Sequence, residues 1–136
     1  METAIALGAN TPEVFYYQAL AITQSAPEDM VGAEQAIERA LALTTKDPYV
    51  YLLAGKISLG RKDYSAAIRR LIEATHLQPT LIPAHYALRS AYNALGEKQK
   101  AAVELEQIKR IGQENAASEQ SPFSVEDALF TVRPPL

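Results

Sequence analysis

Apolar residues recur along this chain at two intervals, a short one within helices and a long one of 34 residues. Within each stretch, apolar side chains return every three or four positions, which is typical of helices with one buried side. The long interval is clearest at three alanines, Ala33, Ala67 and Ala101. The pattern predicts a tandem array in which each unit contributes two antiparallel helices.

Other positions repeat at the same interval and predict how the two helices of each unit pack. The columns are Tyr17, Tyr51 and His85; Leu20, Ala54 and Leu88; Ala21, Gly55 and Arg89; Ile37, Leu71 and Leu105; and Ala40, Ala74 and Ile108. Two helices approach closely only where side chains are small. We therefore expect Ala21 or Gly55 on a first helix to face Ala33 or Ala67 on the second, with Arg89 as a departure.

The middle unit, residues 48–81, carries the most specific pattern. Its members are Tyr51, Ala54 and Gly55 on the first helix, Asp63 and Tyr64 in the turn, Ala67, Leu71 and Ala74 on the second helix, and Pro79 at the end. This pattern resembles the tetratricopeptide repeat (TPR) family, with about three repeats. The resemblance implies an all-α fold, an α-solenoid of antiparallel helix hairpins wound as a right-handed superhelix.

The same spacing divides the chain into repeats at residues 14–47, 48–81 and 82–115. Residues 1–11 are expected to be the end of a preceding repeat's second helix, because Ala6 lies 34 residues before Ala40. The chain is then expected to be a piece of a longer protein. Residues 116–136 are interpreted as a linker followed by a short C-terminal helix or a tail, since Ser124 and Asp127 have the spacing of a helix-start box. This segment either covers the last hairpin, enters a groove of this or a neighbouring molecule, or stays disordered.

Composition and motifs exclude several classes of function. A formal net charge of −3 differs from the basic surface expected of a nucleic-acid binder. No apolar run approaches the roughly 18 residues that a membrane span needs. Cysteine is absent, and the two histidines are not paired for a metal, with His85 interpreted as a packed ring. No catalytic constellation is found, so we expect no enzyme activity, no metal and no cofactor.

The resemblance implies a working surface on the exposed face of each first helix. The groove residues carried over are Phe15, Gln18, Ala19, Ile22 and Ser25 in the first repeat, Tyr49, Leu52, Leu53, Lys56 and Leu59 in the second, and Pro83, Tyr86, Ala87, Ser90 and Asn93 in the third. This apolar and aromatic set suits an extended peptide or an amphipathic helix. Alternatively, Leu52, Leu53 and Leu59 are core residues between neighbouring first helices.

Three classes of function fit these features. The first is a protein-interaction module that binds a partner peptide or helix through its concave groove. The second is a structural array that self-associates through exposed repeat ends or the C-terminal segment. The third is a non-catalytic segment of a larger enzyme or regulator. The sequence identifies neither the partner nor the cell compartment.

Overall fold

The computed structural model describes residues 11–44 and 46–119, and all regular secondary structure in this part of the chain is helical. The helices are α1 (Pro12–Ser25), α2 (Met30–Leu43), α3 (Pro48–Gly60), α4 (Tyr64–Leu77), α5 (Ile82–Ala94) and α6 (Lys98–Glu119). The predicted half-repeat before residue 11 and the predicted C-terminal segment at 121–136 lie outside the described residues.

Short polar side chains define where the first four helices begin. Each of four cap residues accepts a hydrogen bond from a backbone N–H in the first turn: Thr11 from Val14, Asp29 from Gly32, Asp47 from Tyr49 and Asp63 from Ala66. Such bonds satisfy amide groups that have no partner within the helix. Pro12 and Pro48 follow two of these caps, where their fixed φ favours helix initiation.

The turns that close α3 and α5 have the same backbone geometry. The N–H of Asp63 donates to the carbonyl of Ser58 at 2.9 Å, and the N–H of Glu97 donates to that of Tyr92 at 2.8 Å. In each turn the preceding residue is left-handed, with φ of 62° at Lys62 and 75° at Gly96. Glycine adopts this conformation without steric cost. The repeat therefore extends to backbone conformation as well as to side-chain type.

The described helices pack as a continuous stack of three hairpins. α1 pairs with α2, α3 with α4 and α5 with α6, while α2 also packs on α3 and α4 on α5. The first helices contact one another directly, α1 with α3 and α3 with α5. Within residues 11–44 and 46–119, the second helices make no contact of similar extent. The first helices therefore line the inner side of the stack. This arrangement confirms the predicted all-α solenoid.

Two hydrophobic clusters hold the described hairpins together. One cluster combines α1, α2 and α3, and includes Phe15, Ala19, Ile37 and Ile57. The other combines α3, α4 and α5, and includes Leu71 and Leu88. Helix α3 contributes to both clusters, so it is buried on two sides.

The predicted column of small residues on the second helices is confirmed. Ala33 and Ala67 are fully buried, and Ala101 is nearly so. The predicted partner of Gly55 needs correction, because a Cβ at this position would lie 2.5 Å from Cγ and Cδ2 of Leu71. Gly55 therefore makes room for a large side chain of α4.

The predicted register of the first helix is wrong by two residues. The second helices begin at Met30, Tyr64 and Lys98, at a constant interval of 34. The first helices begin at Pro12, Pro48 and Ile82, so the interval is 36 from α1 to α3 but 34 from α3 to α5. Helix α1 is one residue longer than α3, and its connection to α2, residues 26–29, is one residue longer than the connection at 61–63.

This shift exchanges the buried and exposed residues of α1. Tyr17 is 64% exposed and Ala21 is exposed, although both were predicted to pack against α2. Phe15, 4% exposed, and Ala19, fully buried, lie in the core instead. Leu20 is half-buried beside the first cluster.

The last described helix continues beyond the predicted end of the third repeat. α6 extends to Glu119, so residues 116–119 are helical and do not form a linker. Ala116 and Ala117 favour helix, and neither glycine nor proline interrupts this segment. Ile108 and Ile111 anchor the middle of α6 in the core, whereas residues 112–118 are exposed.

Candidate binding groove on the first helices

A cavity of about 390 Å³ lies on the inner side of the stack, between α1 and α3. Its lining residues are Tyr16, Leu20, Thr23, Gln24, Met30, Tyr49, Leu52, Leu53, Lys56 and Ile57. Tyr16, Leu20 and Thr23 follow at intervals of three and four, so one face of α1 forms one wall. The volume falls within the range of protein ligand pockets and can hold a large side chain of a partner.

A smaller cavity of about 240 Å³ lies beside it, near the N-termini of α1 and α3. It is lined by Glu13, Tyr16, Tyr17, Asp47, Tyr49 and Val50. The Tyr16 and Tyr17 rings meet edge to face, with centroids 5.2 Å apart and an interplanar angle of 82°. Because Tyr16 and Tyr49 line both cavities, the two form one groove, called here the tyrosine groove.

The polar groups of the tyrosine groove differ between its ends. Asp47 caps α3, and its Oδ1 accepts a hydrogen bond from the N–H of Tyr49 at 2.9 Å. Glu13 lies in the first turn of α1. Partial burial raises the pKa of Tyr16, and the neighbouring Tyr17, Asp47 and Tyr49 raise it further. Tyr16 therefore keeps its proton at neutral pH and can donate a hydrogen bond.

The structure brings together the predicted groove residues of the second repeat. Tyr49, Leu52, Leu53 and Lys56 all line the larger cavity. Leu52 and Leu53 are also largely buried in the two clusters, which agrees with the alternative core interpretation for these leucines. Each contributes to the core while presenting part of its side chain to the cavity. Leu59 packs against the second cluster.

The residues predicted from the first repeat lie elsewhere. Phe15 belongs to the core, with the guanidinium of Arg39 5.8 Å from its ring centroid. Ile22 packs against the same cluster, and half-buried Gln18 lines neither cavity. These three placements follow from the two-residue shift in register of α1.

The residues predicted from the third repeat lie on α5, outside both cavities. Tyr86, Ser90 and Asn93 are exposed, with Tyr86 half-exposed at 51%. They remain accessible to a ligand long enough to extend along the first helices. Their binding role stays a prediction.

Sequence reasoning missed the wall that α1 contributes, namely Tyr16, Tyr17, Leu20 and Thr23. A signal for these residues was present in the sequence. Thr11 and Pro12 have the same cap-then-proline character as Asp47 and Pro48. If these two helix starts are aligned and the constant interval of 34 is not imposed, Tyr16 corresponds in the alignment to Leu52, a predicted groove residue.

His85 is part of the core, as predicted. Its Nδ1 lies 2.8 Å from Oε1 of Glu104, and its Nε2 lies 2.7 Å from the carbonyl oxygen of Pro79. Both ring nitrogens therefore have partners within the protein. Across residues 11–44 and 46–119, no group of three or more potential metal-ligating side chains is found.

The described helices form an α-solenoid of antiparallel helical hairpins. No family model and no curated protein matches this chain. Solved structures do match, among them two crystal structures of MamA, both with a TM-score of 0.76. The first is 21% identical over 81% of this chain and 63% of that chain, and the second 20% over 86% and 63%. A MamA point mutant gives a TM-score of 0.67 at 16% identity, over 74% of this chain and 72% of that chain.

These comparisons show the fold alone. This chain spans less than two thirds of the length of the two MamA crystal structures. None of the described helices combines the length and apolarity needed to cross a bilayer.

Proposed function

We propose that this chain is a TPR-type protein-interaction module that binds a partner peptide or helix in the tyrosine groove. The observation that carries the proposal is the pair of joined cavities on the side where the first helices meet. Tyr17 and Tyr49 expose large aromatic surfaces at this groove. Exposed aromatic groups beside a pocket are typical anchors of protein interfaces.

The larger cavity suits an apolar side chain of the partner. Leu20, Leu52, Leu53 and Ile57 form its apolar surface. Burying an apolar side chain releases about 25 cal/mol for each Å² removed from water. Thr23, Gln24 and Lys56 add hydrogen-bonding groups that can hold a peptide backbone.

The composition of this cavity favours binding over catalysis. No imidazole or carboxylate is found among its described lining residues, and the carboxylates of the groove, Glu13 and Asp47, line the smaller cavity. General acid and base catalysis depends mainly on these groups. The lining therefore supports recognition of a partner, with specificity set by shape and aromatic contact.

The test is selection of peptides from a phage-displayed random 12-residue library, followed by fluorescence anisotropy with the selected peptides. Tyr49→Ala is expected to weaken binding at least tenfold, which corresponds to about 1.4 kcal/mol. Because the Tyr49 side chain is 50% exposed, the variant should retain its helical circular dichroism.

Val103→Ala provides the control, because Val103 is exposed on α6 and lies outside both cavities. It should bind the selected peptides with unchanged affinity. A library that yields no binding peptide, or equal affinities for the wild-type chain and Tyr49→Ala, would contradict the proposed groove. For a long peptide that extends to the third hairpin, Tyr86→Ala should also weaken binding.

A further inference from the structure

The smaller cavity combines two carboxylates with three aromatic rings. Glu13 and Asp47 come from the starts of different helices, and Tyr16, Tyr17 and Tyr49 supply the rings. Cations are attracted both by carboxylates and by the faces of aromatic rings within about 6 Å. We propose that this cavity is a subsite for a cationic side chain, a lysine or arginine of the peptide bound in the tyrosine groove. This inference rests on the function proposed above.

No lysine or arginine within the described residues neutralises the charge of the subsite. Among residues 11–44 and 46–119, neither Glu13 nor Asp47 forms an ion pair with lysine or arginine, including the adjacent Lys46. Oδ1 of Asp47 accepts a bond from the N–H of Tyr49, which leaves the second oxygen to interact with a ligand.

The helix termini oppose this negative charge only in part. Glu13 and Asp47 both lie at helix N-termini, where the macrodipole contributes about half a positive charge. Two full negative charges therefore exceed the compensation from α1 and α3.

The walls of the subsite favour an organic cation over a metal ion. Ca²⁺ prefers six to eight oxygen ligands, and Mg²⁺ prefers an octahedral set. Here most of the lining consists of tyrosine rings and Val50. An alkyl ammonium or a guanidinium can contact these rings with its apolar or planar surface and the carboxylates with its N–H groups.

The two ends of the tyrosine groove differ in charge. Lys56 lines the larger cavity on α3, nine residues after Asp47. At a rise of 1.5 Å per residue, the two backbone positions lie about 13 Å apart. The acidic end therefore receives the basic side chain, and the Lys56 end favours a carbonyl or carboxylate. Since the cavities share Tyr16 and Tyr49, the expected ligand has a basic residue one or two positions from a large apolar residue.

The experiment compares a selected lysine-containing peptide with the same peptide carrying norleucine in place of lysine. Norleucine keeps every side-chain carbon of lysine and lacks the ammonium group. The wild-type chain should bind the lysine peptide at least tenfold more tightly. In the double variant Glu13→Gln, Asp47→Asn this preference should fall to within about twofold. Asparagine retains the ability to cap a helix, so the variant should keep its fold.

The matched control is the double variant Glu28→Gln, Glu73→Gln, which removes two exposed carboxylates outside both cavities. It changes the net charge equally and should keep the preference for lysine. Tyr17→Ala should weaken the lysine peptide more than the norleucine peptide, whereas Tyr17→Phe should retain binding because the ring remains.

The possible outcomes distinguish failure of the cationic subsite from failure of the proposed groove. Peptides that bind the groove without any preference for lysine over norleucine would overturn the cationic subsite and leave the proposed function standing. Failure to select any peptide would overturn both. A wild-type dimer that dissociates in the Glu13→Gln, Asp47→Asn variant would also overturn the proposal, because a second copy of the chain would then occupy the site.

Discussion

Gly55 and Gly112 both lie inside helices, but the space around them differs. A Cβ at Gly55 would lie 2.5 Å from two carbon atoms of Leu71, which is itself fully buried. A Cβ at Gly112 would meet no atom within 4 Å. The absent side chain of Gly55 therefore allows α3 and α4 to approach, whereas Gly112 has no packing role among the described residues.

We predict opposite effects when each glycine is changed to alanine. Gly55→Ala should lower the free energy of unfolding by roughly 1 to 3 kcal/mol, because Leu71 cannot move without disturbing the core. Gly112→Ala should raise it by up to about 1 kcal/mol, since alanine has the higher helix propensity. Urea denaturation followed by circular dichroism measures both. A more stable Gly55→Ala variant would contradict the close contact of α3 with α4.

At the scale of elements, Arg70 of α4 joins the first two hairpins. Its Nη2 lies 2.7 Å from Oε1 of Glu34 on α2, and its Nη1 donates to Oγ of Ser58 on α3 at 2.9 Å. The side chains of Arg70 and Glu34 are largely buried, so water and salt screen this pair less than a surface pair. The contact holds α2 and α4 against the same side of α3.

Replacing Arg70 should therefore weaken the junction between hairpins. We expect Arg70→Met to lower the free energy of unfolding by about 1 to 3 kcal/mol, because Glu34 loses a charged hydrogen-bond partner in a largely buried position. The double variant Arg70→Met, Glu34→Met should recover part of this loss, since no unpaired carboxylate remains.

The control for Arg70 is Lys109→Met on α6. Lys109 and Glu106 are exposed, and their charged atoms lie 3.7 Å apart. Exposed pairs of this kind contribute little to stability. Urea denaturation should show a larger loss of unfolding free energy for Arg70→Met than for Lys109→Met. Equal small losses in the two variants would argue against a stabilising role for the Arg70 contact.

At the scale of the whole molecule, the described hairpins form a stack without a single central core. Each cluster joins neighbouring elements, and only α3 contributes to both. In such arrays, stability is approximately a sum of terms for each hairpin and for each interface. The helices in the middle of the stack have neighbours on both sides, so their local unfolding requires two interfaces to open.

Hydrogen exchange followed by mass spectrometry tests this gradient of stability. We expect the backbone amides of α3 and α4 to exchange most slowly, because the hairpin that they form packs against α2 on one side and α5 on the other. Amides at 112–118 should exchange fastest within α6, since all of these residues are exposed. Uniform protection across the six described helices would indicate one cooperative unit and contradict the additive description.

Much of the stack could be predicted from the sequence because the second helices keep a constant interval. Ala33, Ala67 and Ala101 recur at positions that must be small, and the packing of neighbouring helices makes this requirement visible in the pattern. The sequence pattern also placed Asp63 in the turn of the middle unit, where its side chain caps α4. The groove residues on α3 were found because its register was correct.

The first helix could not be placed in the same way. Phe15, Tyr16 and Tyr17 are consecutive, so large aromatic rings point to three sides of α1. Any one of them could fill the aromatic packing position. Helix α1 and the connection after it are each one residue longer than their counterparts in the second hairpin. The constant interval of 34 therefore fails for α1 and could not identify which ring is packed.

The amino-acid sequence by itself determined the helices, their caps and the spacing of the second helices, because these depend on contacts between residues close along the chain. Only the tertiary structure decided that Phe15 is buried while Tyr17 is exposed, since that choice depends on how α1 packs against α2. It also brings Glu13 and Asp47 to the same cavity and builds the tyrosine groove from two helices separated in sequence. A site of this kind arises from packing between elements, which no local pattern specifies.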